Sequence, residues 1–135
     1  MAIKAIIIDD ERLARNELKK LLQDHSDIEV FEEAAYVEDG FEKIETLNPD
    51  LIFLDIQMPD ITGIQFYKNL SEKPPVIFTT AYKDFAVEGF NVDAVDYLLK
   101  PFEYDRFLKA CYKAKEYIEF LSSQEVQLNS LFIKV

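Results

Sequence analysis

The sequence predicts an α/β domain: a doubly wound, five-stranded parallel sheet in the order 2-1-3-4-5, with helices on both faces. Three observations carry this. The apolar runs Leu51–Leu54 and Val76–Phe78, and Ile3–Ile8 broken only by Lys4, lack the polar alternation of a half-exposed strand. Segments of helical spacing separate the runs, so that strand–helix units repeat five times. Each of the three runs ends in polar or charged residues, as does the segment before Lys100. That edge is where open α/β sheets bind ligands, and right-handed crossovers narrow the strand order to the one given.

Taken in order, Ile3 to Ile8 is a buried strand that ends at Asp9-Asp10-Glu11. Arg12 to Gln23 follows as a helix, with Leu13, Leu18, Leu21 and Leu22 on its apolar side and Asp10 and Glu11 placed to favour its dipole. His25, the sole histidine, belongs to the next loop and is expected to be exposed without a role. Ile28 to Tyr36 alternates apolar and acidic residues, as a strand nearer the sheet edge does. Glu38 to Leu47 is a second helix with Phe41, Ile44 and Leu47 as its stripe, stopped by Asn48-Pro49-Asp50. Leu51 to Asp55 is the third strand.

After the loop Met58 to Gly63, Ile64 to Leu70 reads as a third helix and Val76 to Thr80 as the fourth strand. Phe85 to Phe90 is a short helix with Asp84 as N-cap. Ala94 to Leu99 is the fifth strand, ending in Lys100-Pro101. Tyr104 to about Leu121 is the last helix, with Phe107, Leu108, Cys111, Ala114, Tyr117, Ile118 and Leu121 inward. Ser122-Ser123-Gln124 reads as a connector, and Asn129 to Val135 as a strand with nothing following it. The expected division is therefore a domain at 1–121, then at 122–135 a linker and the start of a truncated second domain.

Composition narrows the function classes. With 135 residues, 49% of them apolar, and only 3 glycines, the chain has the makings of a packed core. A net charge of −11 is the wrong balance for nucleic-acid binding by this segment. No apolar run approaches the ~18 residues of a membrane span, and Met1 to Ala5 lacks the lead of a signal peptide. The single cysteine, Cys111, makes no internal disulfide and is expected simply to be packed; this suits a reducing cytoplasm.

The predicted strand order brings Asp9, Asp10 and Asp55 together. A lone acid at a strand end is ordinarily a helix cap or a solvated loop residue, and Lys100 or Thr80 alone would be equally ordinary. Four strand ends with compatible groups on one edge are harder to assign to capping. Crowded carboxylates repel and raise one another's pKa. A divalent cation relieves that conflict, and carboxylate oxygens with water suit Mg²⁺. With Lys100 as a positive charge and Thr80 as a hydroxyl donor, the edge suits a phosphoryl group carried by Asp55 as nucleophile.

The chain resembles response-regulator receiver domains over residues ~3 to 121. The motifs are Ile6-Ile7-Ile8-Asp9-Asp10-Glu11, Leu54-Asp55-Ile56-Gln57-Met58-Pro59 with Gly63, Phe78-Thr79-Thr80-Ala81, and Asp96-Tyr97-Leu98-Leu99-Lys100-Pro101-Phe102. The resemblance implies a flavodoxin-like (βα)5 sandwich in which Asp55 accepts a phosphoryl group from a sensor histidine kinase. It implies Mg²⁺, or Mn²⁺ in its place, bound by Asp10 directly, Asp9 through water, Asp55, and the backbone carbonyl of Gln57. The side-chain identity of Gln57 is then expected to matter less. Lys100 and Thr80 would contact the phosphoryl oxygens, Ala81 would offer its N–H, and Tyr97 would be the aromatic that follows Thr80. The Lys100–Pro101 bond is commonly cis in this family. Thr79-Thr80-Ala81-Tyr82, the run 96–102 and the ending Phe132-Ile133-Lys134-Val135 are similar to the LytTR-type (LytR/AlgR-like) branch of transcriptional regulators, whose receivers are joined to a β-rich DNA-binding domain. A homodimer through the fourth helix, fifth strand and last helix is a further expectation. Aromatic residues Phe85, Phe90, Tyr97, Phe102, Tyr104 and Phe107 fall in that half of the sequence.

Other chemistries fit less well. A haloacid-dehalogenase-type phosphatase needs a second acid two positions after its nucleophile, where this chain has Gln57. A flavin-binding module needs a Ser/Thr/Gly-rich loop after the first strand, and Asp9-Asp10-Glu11 would repel its phosphate. The full acidic set with Lys100 also speaks against a receiver that acts without phosphorylation.

Overall fold

The computed structural model describes residues 2–25, 27–83 and 92–133, with side chains to residue 125. Its elements are β1 (Ile3–Ile8), α1 (Arg12–Leu22), β2 (Ile28–Ala34), α2 (Val37–Leu47), β3 (Leu51–Asp55), α3 (Gly63–Lys68), β4 (Val76–Thr80), β5 (Asp96–Leu99) and α4 (Tyr104–Ile133). All neighbouring strands pair in parallel, and the order is β2-β1-β3-β4-β5. The predicted topology and the predicted bounds of β1, β3 and β4 hold.

Two layers of side chains follow from the alternation of the strands. Ile3, Ala5 and Ile7 of β1 point with Phe53 to one face and meet Leu18 and Leu22 of α1 and Phe107, Ala110 and Ala114 of α4. Ile6 and Ile8 point with Ile52 and Leu54 to the other and meet Ile44 of α2 and Phe66 of α3. Every residue of β3 and β4 is buried. That double cover explains why those strands read as unbroken apolar runs. β2 lies at the sheet edge, and its pairing with β1 slips by one residue between Ala5 and Ile6.

The register sets the heights of the strand ends. Ile8 pairs with Leu54, so Asp9 and Asp55 emerge side by side. Asp55 pairs with Thr79 and Thr80 with Leu99, which sets Thr80 and Lys100 at the same edge. The Lys100 N–H donates to the Thr80 carbonyl at 2.7 Å, extending that ladder one step. The Lys100–Pro101 bond is cis, as expected. Asn48 ends α2 in the left-handed region, at φ 48°, a conformation asparagine tolerates better than most residues.

Several expectations are corrected. Leu13 is 82% exposed; α1 buries Ala14, Leu18 and Leu22, which lie four apart, and Leu13 is off that line. Phe41 and Leu47 of α2 are also exposed, and Gly40 and Ile44 make its contact. Tyr117 and Leu121 of α4 are exposed as well, whereas Ala110 is buried. His25 is half-buried, with its ring 6.4 Å from Tyr104 and 6.1 Å from Phe107, and its Nε2 is buried without a hydrogen-bond partner. Residues 122–133 continue α4, so the connector at Ser122 and the strand from Asn129 are not formed. The sequence after Pro101 holds no glycine or proline. Serine costs a growing helix only tenths of a kcal/mol per residue, so nothing there stops propagation. The expected helix at Phe85–Phe90 and its cap Asp84 lie outside the described residues. Cys111 is packed in the core as expected, and burial pushes its thiol up to about 12, which leaves it inert.

The difference between Phe53 and Leu13 is testable. Phe53 is enclosed at the centre of the sheet and stacks at 6.4 Å on Phe107. Phe53→Ala should cost about 3–5 kcal/mol in urea unfolding, whereas Leu13→Ala should change stability by less than about 0.5 kcal/mol.

Candidate functional site

β1 ends in Asp9 and β3 in Asp55, whose side chains are 1% and 2% exposed. Asp10, the next residue along, is exposed. One carboxylate oxygen from each of the three lies within 4.8 Å of the others. Lys100, a residue beyond β5, reaches into this group. Its Nζ stands 2.9 Å from Asp9 Oδ2, 3.1 Å from Glu11 Oε1 and 3.7 Å from Asp55 Oδ1. Its nearest partner is therefore Asp9. The contact with Asp9 Oδ2 is a buried ion pair.

The electrostatics follow from this crowding. Burial first, and then the neighbouring Asp9 carboxylate, push Asp55 up to about 7, against the opposing pull of Lys100. Burial alone would lower Lys100, yet its contacts with Asp9, Asp55 and Glu11 outweigh that and hold it above the usual lysine value. Lys100 thus serves as the cation of the cluster. One ammonium near three acids of the site and Glu11 leaves a surplus of negative charge. Hard oxygen donors at this spacing, with more negative charge than one ammonium balances, fit a divalent cation of the Mg²⁺ type.

Across the edge, Thr80 is fully buried and its hydroxyl donates to Gln57 Oε1 at 2.9 Å. The Ala81 N–H donates to the same oxygen at 3.4 Å. An N–H can only donate, so the amide oxygen of Gln57 must face this pair. Gln57 Nε2 is left buried without a partner. The Gln57 side-chain carbonyl thus meets the two donors expected to serve a phosphoryl group, a contact that its sequence reading does not anticipate. The Gln57 N–H in turn donates to Asp55 Oδ1 at 3.2 Å.

Tyr97 sits behind Thr80 on β5, half-buried, with its ring stacked at 5.5 Å on Phe78. Its backbone is tied to α4, because Arg106 donates to the Tyr97 carbonyl and makes a two-pronged contact with the buried Asp96. Gly63 opens α3 against β3, where its N–H donates to the Ile56 carbonyl at 2.8 Å. A Cβ at Gly63 would fall 2.1 Å from the Asp55 carbonyl oxygen, so only a bare α-carbon fits.

The edge thus brings Asp9, Asp10, Asp55, Thr80, Ala81, Gln57 and Lys100 together. Sequence reasoning missed three participants. Glu11 is read there only as a helix-dipole acid, yet it holds Lys100. Gln57 acts through its side chain as well as its backbone. Arg15 is not singled out there, yet it donates to the Asp9 carbonyl. The Glu11 and Gln57 contacts join distant elements, and the Arg15 contact turns back six residues to the end of β1; no local pattern announces them.

Comparison with known proteins fits this geometry. The family model for the response regulator receiver domain matches residues 5–112. The chain belongs to this family. The receiver is 41% identical over 117 residues to the sensory transduction protein LytT of Bacillus cereus, covering 84% of this chain and 48% of that protein. It is 45% identical over 119 residues to the sensory transduction protein LytR of Staphylococcus haemolyticus, covering 86% of this chain and 46% of that one. The receiver thus spans about half the length of the curated relatives it matches. Among solved structures it is similar to the response regulatory domain of mrkE from Klebsiella pneumoniae, with TM-score 0.78, 35% identity and coverage of 87% and 98% of the two chains. It is also similar to the receiver of AraT from Geobacillus stearothermophilus, with TM-score 0.80, 30% identity and coverage of 90% and 99%. Receiver domains bind Mg²⁺ at an acidic cluster, and this receiver carries one in Asp9, Asp10 and Asp55.

The raised Asp55 value has a pH signature. The folded carboxyl holds its proton up to about 7, whereas the ordinary value is 3.8. The contribution to stability is therefore complete below about pH 4 and is lost as pH rises through about 7. In EDTA, thermal unfolding of the wild type should show this decline, and Asp55→Asn should remove it and gain stability at neutral pH, on the order of 2 kcal/mol.

Proposed function

We propose that this receiver is the phosphorylation-controlled switch of a two-component response regulator, with Asp55 as the phosphoacceptor. The observation that carries the proposal is the buried Asp55 carboxylate, crowded by Asp9 and Asp10 and faced by Lys100 at 3.7 Å. An Asp55 carboxylate oxygen attacks the phosphorus of a phosphohistidine on the sensor kinase. The new O–P bond forms as the N–P bond breaks, and the electron pair leaves with the imidazole. Asp9, Asp10, Asp55 and the Gln57 backbone carbonyl would hold the Mg²⁺; Mn²⁺ suits the same oxygens. When bound, the metal ion supplies positive charge against the oxygens of the transferring group.

The remaining residues take complementary parts. With a divalent cation balancing the carboxylates, Lys100 would be free to turn from Asp9 to the phosphoryl oxygens. Thr80 and Ala81 donate to those oxygens in place of Gln57 Oε1, so the amide of Gln57 has to give way. The inward pull on Thr80 makes room for Tyr97, and the stacked pair Tyr97–Phe78 with the Arg106 tie passes the change to β5 and α4. The likeness to LytT and LytR supports a LytTR-type regulator in which residues 1–121 are the receiver and residues from 122 lead, through the continued α4, to a DNA-binding output domain controlling transcription. Dimerisation through a face that includes β5 and α4 is supported by the exposed Tyr117 and Phe120. No described helix is long and apolar enough to cross a membrane, and we place the receiver in the cytoplasm, where a sensor kinase would present its phosphohistidine.

Two measurements test this reading. A small phosphodonor with Mg²⁺ should label the wild type at one phosphoryl group per chain, and Asp55→Ala should abolish labelling. Undiminished labelling of Asp55→Ala would remove Asp55 from its role. Gln57→Ala frees two donors from a competing acceptor worth about 1 kcal/mol, so initial labelling should speed up by roughly fivefold in stopped-flow or gel assays.

A further inference from the structure

Asp10 is exposed, so the position of its carboxylate depends on the backbone that carries it. The β1 ladder ends at Ile8, whose partners are Ala34 and Leu54. The next residue, Asp9, still donates its N–H to the Ala34 carbonyl at 3.0 Å. Its own carbonyl has passed the end of the ladder. Arg15 takes that carbonyl: Nη1 donates to Asp9 O at 2.8 Å. The peptide unit is planar, so fixing the Asp9 carbonyl fixes the plane that leads into the Asp10 α-carbon.

Arg15 is held in turn. Its side chain is 13% exposed, and Nε donates to Glu33 Oε1 at 2.7 Å. The other oxygen of Glu33 accepts from Lys19 at 2.5 Å, and the Glu33 backbone carbonyl accepts from Lys43 at 2.6 Å. Lys43 is anchored to Asp39 of α2 at 3.0 Å. One chain of contacts thus runs from α2 through β2 and α1 to the carbonyl between the two site acids. A guanidinium presents its donors in a rigid planar fork and can serve two acceptors at once; a lysine ammonium at the end of a flexible stem is not shaped to span both.

We propose that Arg15 is a positioning residue for the metal-binding acids, fixing the Asp9–Asp10 peptide so that both carboxylates face one cation. The inference rests on the Mg²⁺-dependent reading of the site given above. Partners of this kind, one step removed from a metal, typically account for 10–100-fold in affinity. They act by orienting ligands, so their loss weakens binding of the metal even where the fold survives.

Mg²⁺ titration calorimetry on the 135-residue chain tests it, with circular dichroism to confirm folding. Arg15→Ala should raise the Mg²⁺ dissociation constant by roughly tenfold. Arg15→Lys should lose nearly as much, because it keeps the charge and loses the fork. If Arg15→Ala fails to fold, Arg15→Lys and Glu33→Gln carry the test, the latter freeing Arg15 from its anchor and weakening Mg²⁺ several-fold. Leu22→Ala, a core truncation at the far end of the same helix, should lower stability and leave Mg²⁺ affinity unchanged. Equal Mg²⁺ affinity in the wild type and a folded Arg15→Lys would overturn the inference alone, and so would an equal loss in Leu22→Ala. A wild-type chain that does not bind Mg²⁺ would overturn the reading of the site and this inference with it.

Discussion

Two carboxylates, Asp9 and Asp55, stand at adjacent strand ends almost out of reach of water, and the parallel register leaves them no room to separate. Each charge is costly there unless a cation stands close. Lys100 supplies that cation, from the far end of the sheet order, at 2.9 Å from Asp9. The rest of the edge can be understood from this shortage of positive charge. Burial and the neighbouring Asp9 charge raise Asp55, and Lys100 is tied down between the two acids. An edge in this condition favours whatever brings positive charge to it.

The opposite side of the edge has the complementary problem. Thr80 presents a buried donor that must be satisfied, and together with the exposed Ala81 N–H it is met by the carbonyl of Gln57. Its own amide nitrogen then goes without a partner. Buried polar atoms left unpaired cost about 1–3 kcal/mol, so the contact is held with little margin. Under the proposed function both halves of the site would exchange partners: Lys100 holds the place of a metal ion's charge, and the Gln57 amide oxygen that of an oxygen of the incoming group. In that proposal a change in what occupies the edge would shift the balance of side chains behind it, from Thr80 towards Tyr97 and α4.

How much of this is legible in the sequence depends on how local each feature is. β1, β3 and β4 are covered on both faces, so their apolar runs mark their ends to the residue, and with the strand order those ends imply the convergence of Asp9, Asp55, Thr80 and Lys100. Helix faces are harder to read. Leu13 looks like core by identity, but five residues separate it from Leu18, more than one turn, and it points outward. The Ser122-Ser123 pair resembles a linker, yet a helix already propagating is stopped only by a residue that costs it more than serine does. The Gln57 side chain, Glu11 and Arg15 take their roles from partners on other elements. Gln57 meets Thr80 across 23 positions of sequence, and Lys100 meets Glu11 across 89. Contacts of that reach exist only once the sheet is assembled.

Gly63 bears no functional group, yet its α-carbon lies against the very peptide that carries Asp55. No single-nucleotide change of a glycine codon encodes a residue without a Cβ. Every missense change at this codon therefore pushes an atom towards the Asp55 carbonyl, from as small as a methyl upward. The position is a mutational weak point defined by volume alone: it contributes nothing to the chemistry and can abolish it in one step.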